Sequence, residues 1–261
     1  FWIGAVLGLL LLPLAWKMLP ESASYLVLRG RRAEATELAE RYGLVLEEEP
    51  VQAAKQGPAA AIRSLFASRY LAGTLLFWLG TAVGLLLVYG LNTWLAQIMA
   101  TAGYELGSAL AFLLVLNLGA IVGTPLLGAV ADRVGSKQTT TSMFLTAGVC
   151  IYLLSYDLPS FVLYVLVAIA GACTIGTTIL VNAYTANYYP AHMRATGLGW
   201  ALGVGRLGAI MGPIYGAFIL DSGWGLDANF YAFALPAVVG AVAMFAMPSQ
   251  AKVPESQPVT A

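Results

Sequence analysis

Apolar and polar positions are segregated along this chain into long uncharged blocks joined by short polar turns. Seven blocks stand out: 1–17, 70–99, 106–131, 138–156, 160–189, 195–220 and 228–247. A helix rises about 1.5 Å per residue and a bilayer's hydrocarbon core is about 30 Å thick, so about 20 mostly apolar residues can cross it. Strands of a membrane barrel alternate polar and apolar positions over about ten residues, and these blocks do not. The pattern predicts an all-α, polytopic transmembrane helix bundle with six complete spans plus the end of a preceding span. The fifth block is long enough to tilt or project beyond the bilayer. The first is short and begins without Met or a basic leader, so residues 1–19 are expected to be the end of a truncated span with further helices upstream.

One long polar stretch, residues 20–69, interrupts the apolar pattern. Arg29, Arg31, Arg32, Glu34, Glu37, Glu40 and Arg41 are spaced to put opposite charges three or four apart on an exposed helix. Leu26, Ala33, Leu38 and Tyr42 could give it a modest apolar face, and the run Glu47–Pro50 should break it. The stretch reads as a linker with amphipathic helices, residues 70–247 as a six-helix bundle, and residues 248–261 as a disordered tail.

Composition sharpens this picture. The chain is 59% hydrophobic and 10% charged, whereas soluble domains carry about 25% charged residues. A formal net charge of zero supplies no field for nucleic acid. Cys150 and Cys173 lie in separate apolar blocks, form no metal motif and read as small buried hydrophobes. His192 stands alone in a turn. No nucleophile–base or metal-ligand cluster is present, so no cofactor or metal is expected and an enzyme is the least favoured class.

The distribution of charge assigns the sides. Lys17 and the 20–69 stretch hold eight of the 13 basic residues. The following turns carry, in order, Glu105 alone, then Arg133 and Lys137, then Asp157 alone, then His192 and Arg194, then Asp221 and Asp227, and the tail carries Lys252. Basic residues outside the blocks therefore fall on alternate connections. By the positive-inside rule that face, with the linker and the C-terminus, is cytoplasmic, which fits a multi-pass protein of the cell's inner or plasma membrane.

Three segments carry a family resemblance. Residues 128–137, GAVADRVGSK, place Gly128 where a helix end could approach a neighbour and Gly135 where a tight turn is needed, with Asp132 and Arg133 at the membrane boundary. They resemble the G-x-x-x-D-R-x-G-[RK]-[RK] loop of the major facilitator superfamily, Ser136 departing from it at one basic position. Residues 188–199, YYPAHMRATGLG, including Arg194, look like the Y-P-x-x-x-R-A-T-G-x-G segment of that superfamily. Leu19-Pro20-Glu21-Ser22 is similar to the P-E-S that ends its sixth helix. Residues 199–213, GWALGVGRLGAIMGP, and 89–95, YGLNTWL, resemble the aromatic acid:proton symporters within it. The resemblance covers essentially the whole chain as the family's C-terminal half plus the end of its sixth helix. It implies a two-part carrier whose other half is absent, with a site between the halves near the midplane.

Gly203, Gly205 and Gly208 also match a dinucleotide fingerprint, but that motif requires a preceding strand and a βαβ unit, and here it lies within a spanning block. Gly208, Gly212 and Gly216 recur every fourth residue, as do Gly119 and Gly123, a spacing that lets helices pack closely in lipid.

Arg206 is the intramembrane charge, about 18 Å by helical rise from Arg194. An arginine at mid-bilayer costs at least ~2.5–3.5 kcal/mol on insertion scales, so it must find a partner. That partner is either the carboxylate of an anionic substrate, which suits a guanidinium fork, or a carboxylate or helix end of the other half. Tyr89, Asn92, Thr93 and Gln97 share one side of their helix, as do Thr174, Thr178, Asn182 and Thr185 of theirs, and Asn117 stands alone. These polar groups either line the path or bond between helices. Tyr89 and Tyr184 could stack on an aromatic ring, and Trp94 could belong to an interfacial belt. The candidate binding set is thus Arg206, Tyr89, Asn92, Asn117, Asn182 and Tyr184. The candidate gate is Gly128, Asp132, Arg133, Gly135 and Arg194. The resemblance implies uptake of an aromatic carboxylate with a proton. No Asp or Glu lies within a block, so the titrating group is expected in the absent half. Another cargo (a dicarboxylate, sugar or drug) and a non-transporting receptor or scaffold remain as alternatives.

Overall fold

A computed structural model describes residues 12–13, 21, 23–28, 30–43 and 58–248. The expected span 1–17 apart from residues 12–13, the Pro20 and Ser22 positions, the Glu47–Pro50 break and the tail from 249 lie outside the described residues. The chain divides into two compact units, Phe1–Gly57 and Pro58–Ala261. Among the described residues there are helices and no strands.

The first unit contains α1 (Ala23–Leu28) and α2 (Arg32–Tyr42), joined through Gly30 at φ 78°. Helix α2 ends on Gly43 in the left-handed region, whose N–H returns to the carbonyl of Ala39. The charge spacing works as expected, with Arg31 pairing with Glu34 three residues on and with Glu21. The hydrogen bond from Arg31 holds the Glu34 carboxyl below its ordinary range. The apolar face differs from the expected one. Ala35 and Ala39, four apart, are buried along with Leu26 of α1, while Ala33 and Tyr42 are exposed. Small side chains let the short helices approach, and a tyrosine there would hold them apart.

The second unit comprises α3 (Pro58–Leu65), α4 (Ser68–Thr101), α5 (Leu106–Val134), α6 (Ser136–Leu153), α7 (Ser160–Tyr188), α8 (Ala191–Asp221) and α9 (Leu226–Phe245). Helix α3, inside the stretch read as linker, packs on α8. Among the described residues, five helices are long and apolar enough to cross a membrane: α4, α5, α7, α8 and α9. Helix α6, in the fourth block and so the third expected complete span, is not among them; it has 18 residues and a threonine-rich start. Its Thr139, Thr140 and Thr141 return their hydroxyls to carbonyls four residues back, so the polar turn enters the bundle with its donors satisfied.

Two triplets of helices repeat one packing plan. Helices α4 and α7 are central; α8 packs most broadly on α4, and α5 most broadly on α7. Helix α9 also packs on α4, α6 on α7, and α6 and α9 on each other. Exchanging α4–α6 with α7–α9 preserves every one of these pairings, while α4 and α7 start from opposite ends of the bundle. This is an inverted 3+3 repeat.

Glycine sets the closest seams. A side chain at Gly208 of α8 would collide with the carbonyl of Ala82 on α4, and one at Gly119 of α5 with the carbonyl of Ala168 on α7. The two seams are equivalents under the repeat. Phe77, Phe112, Phe144 and Phe233 are fully buried between the helices, and Cys150 and Cys173 are free, buried thiols.

Candidate functional site

Helix α4 turns Tyr89, Thr93 and Gln97 outward, because each is one helical turn from the next. Helix α8 brings Arg206 beside this stripe: the Gly205–Gly208 seam fixes the two helices side by side. The Nη1 of Arg206 lies 3.5 Å from the hydroxyl of Tyr89, at the long end of hydrogen-bond range. Arg206 is exposed on this half, Tyr89 is 41% exposed, and no carboxylate among the described residues pairs with the guanidinium. When the phenol oxygen accepts from Arg206, its own O–H proton remains available. Two donor groups therefore stand side by side, an arrangement suited to a carboxylate.

One turn from Tyr89, Asn92 accepts at Oδ1 from Nδ2 of Asn117 on α5 at 3.1 Å. Both amides also donate back to their own helices, Asn92 to Val88 and Asn117 to Leu113. Arg206, Tyr89, Asn92 and Asn117 thus form one polar strip across α8, α4 and α5.

Asn182 and Tyr184 sit elsewhere. They are two residues apart and so point some 200° apart around α7. The ring of Tyr184 meets Phe77 edge-on at 5.1 Å, within an aromatic cluster that includes Tyr188 and Tyr189. Phe77 is 12 residues below Tyr89 on α4, about 18 Å by helical rise. Thr178 stands against Gly84, which puts Asn182 roughly 13 Å from Tyr89 along the axis by the same rise. The Oδ1 of Asn182 is buried without a hydrogen-bond partner. The six candidates therefore divide into a strip of four around Arg206 and two residues nearer the Arg133 end.

The motif residues have separate local roles. Gly135 joins α5 to α6 at φ 103°, a turn that favours glycine, and its N–H caps the carbonyl of Ala131. Gly128 does not serve a close helix approach within this unit: a side chain there would meet open space, because no described helix packs on that face of α5. Asp132 and Arg133 are exposed and make no ion pair with described residues. Arg194 lies half-buried in the first turn of α8. Tyr189 exchanges a 2.8 Å hydroxyl contact with Thr74 and covers Gly197, while Gly73 leaves room for Tyr188. The Y-P segment thereby ties the α7–α8 junction to the start of α4.

Sequence reasoning missed two contacts. Lys137 donates to the carbonyl of Met247 at 2.5 Å and stands over the Phe245 ring, closing the end of α9; a cation at a helix C-terminus is the signal that could have suggested it. Trp94 is not free for an interfacial belt: its indole N–H donates 2.8 Å to the carbonyl of Pro213 on α8.

Comparison with known proteins agrees with this architecture. The sequence profile of the Major Facilitator Superfamily matches residues 1–154 and 115–260. The chain is 37% identical over 251 residues to a benzoate transport protein of Acinetobacter baylyi, covering 94% of this chain and 54% of that protein. It is 42% identical over 185 residues to a gentisate transporter of Corynebacterium glutamicum, covering 71% and 42%. It is 36% identical over 251 residues to a gallate transporter of Pseudomonas putida, covering 93% and 55%. The chain spans about half the length of the curated relatives it matches. With its inverted triplets of apolar helices and a match across nearly its full length, this multi-pass membrane chain belongs to the Major Facilitator Superfamily.

Proposed function

We propose that this chain is the C-terminal half of a secondary carrier that takes up an aromatic carboxylate with a proton, the missing half supplying the other wall of the site and the titrating group. In this reading the Arg133 end and the C-terminus face the cytoplasm, which the distribution of basic residues supports, and the membrane is the cell's inner or plasma membrane. The reading is of a carrier and not an enzyme.

Arg206 carries this reading. A guanidinium inside a spanning helix, exposed on this half and without an ion pair among the described residues, calls for an anion. With the adjacent hydroxyl and ring of Tyr89, it offers donors for a carboxylate and an aromatic surface beside them. The matched relatives are named for benzoate, gentisate and gallate, each a ring bearing a carboxylate. Asn92 and Asn117 continue the same wall, while Asn182 and Tyr184 belong nearer the cytoplasmic end of the path. Gly128, Asp132, Arg133, Gly135 and Arg194 form the cytoplasmic gate.

The test is uptake by the full-length carrier in proteoliposomes, with labelled benzoate against a dicarboxylate, a sugar and a neutral aromatic. Saturable benzoate uptake driven by an imposed proton gradient and abolished by a protonophore is the expected result. Uptake of another cargo in preference, or none under any gradient, would overturn it.

A further inference from the structure

Away from the Arg206 strip, the paired helices α6 and α9 enclose an apolar groove of about 310 Å³. Leu145 and Val149 of α6 face Leu235 and Val238 of α9 across it, with Gly148 also in its lining. Leu145 to Tyr152 and Tyr231 to Val238 each span seven residue steps, so the groove runs about 10 Å along the bundle. These walls are 45–62% exposed, and within a bilayer such surface meets lipid tails.

The groove changes character at the Asp157 end. Tyr152 and Tyr231 stack there with ring centroids 5.2 Å apart, and the Tyr152 hydroxyl meets that of Tyr156 at 2.9 Å. Tyr156 in turn lines an adjoining recess of about 410 Å³ that holds Asp157 and Asp227. The turns at this end, 102–105, 154–159 and 222–225, contain no Lys or Arg. An apolar slot, a band of phenols and a pair of carboxylates therefore follow one another within a few residues.

We propose that this groove is a binding site for a phospholipid with an amine headgroup, drawn from the leaflet at the Asp157 end. One acyl chain fills the slot, the phenol hydroxyls donate to the phosphate–glycerol region, and Asp157 and Asp227 receive the ammonium. An anionic headgroup would meet the two carboxylates unfavourably. A second copy paired through the same face would set those carboxylates against their own counterparts, as an isologous contact requires. The site is independent of the cargo.

The experiment offers delipidated full-length carrier equal amounts of dioleoyl phosphatidylethanolamine and dioleoyl phosphatidylglycerol and reads the retained lipid by native mass spectrometry. The ethanolamine lipid is expected in excess by about threefold, the scale of one exposed ion pair. The double substitution Asp157→Asn with Asp227→Asn should erase the excess and leave total binding in place. Val149→Trp, which fills the slot, should remove the retained lipid, and Leu235→Trp on the opposite wall should repeat that result if the first variant is poorly folded. Equal retention of the two lipids, a preference for the glycerol lipid, retention undisturbed by both tryptophans, or lipid-displacing dimers cross-linked through Val149→Cys would each overturn the proposal.

Discussion

The hydroxyl of Tyr215 on α8 donates a 2.7 Å hydrogen bond to the carbonyl of Ala232 on α9, four residues before Pro236. Proline has no N–H, so the carbonyl one turn earlier loses its helical donor, and lipid offers no water in its place. Tyr215 supplies the donor and joins two helices by doing so. Tyr215→Phe in the full-length carrier is expected to lower stability by about 1–2 kcal/mol, read as a fall in melting temperature in detergent. Pro236→Ala restores the N–H, so the loss from Tyr215→Phe should shrink in that background. Equal losses in both backgrounds would refute the pairing.

The two kinds of glycine in this chain should part company under substitution. A methyl at Gly208 would run into the Ala82 carbonyl, and backbone cannot swing aside as a side chain can. Gly208→Ala is expected to cost about 1–3 kcal/mol through overpacking and to reduce the yield of folded protein. Gly128→Ala meets open space in this unit and should raise helix stability by about 0.5–1 kcal/mol. A stability loss at Gly128 equal to that at Gly208 would show that the other half packs there.

These residues show where sequence was a good guide and where it was not. Five of the spans, their order and the small-residue seams were legible because hydropathy and four-residue spacing are local properties of one helix. Arg206 and Tyr89 could each be singled out, but their meeting depends on which helices adjoin, and that follows from the inverted pairing of α4 with α8. The same lack of pairing information hid the edge-on contact of Tyr184 with Phe77, away from Arg206. The role of Pro236 was not read from the sequence, because the donor to its orphan carbonyl lies 17 residues upstream in the preceding helix.

The pair in the first unit carries its own pH dependence. The Glu34 carboxyl sits below its ordinary range because Arg31 bonds and attracts it. A depressed carboxylate contributes stability above the unfolded group's pKa and loses it as pH falls through the folded value. Both groups are exposed, so the effect is small and screened by salt. In a peptide covering residues 20–43, helix content by circular dichroism is expected to decline as pH drops through the carboxylate range. Glu34→Gln should remove part of that decline, and an unchanged titration would dismiss the pair as a contributor.

Arg206 gives the sharpest prediction, because its two possible roles respond differently to a conservative change. Arg206→Lys keeps a positive charge in the span but replaces a planar fork with a point charge. If the fork binds the substrate carboxylate, benzoate affinity should fall about tenfold or more, the scale of one charge-assisted hydrogen bond, while the melting temperature barely moves. Tyr89→Phe, which removes the second donor but keeps the ring, should produce a smaller loss in the same direction. If Arg206 instead neutralises a carboxylate of the other half, Arg206→Lys should retain affinity, and Arg206→Gln should lower the melting temperature by leaving that acid buried alone. Substrate binding measured beside thermal melting across the three variants therefore separates a guanidinium that holds cargo from one that holds the two halves together.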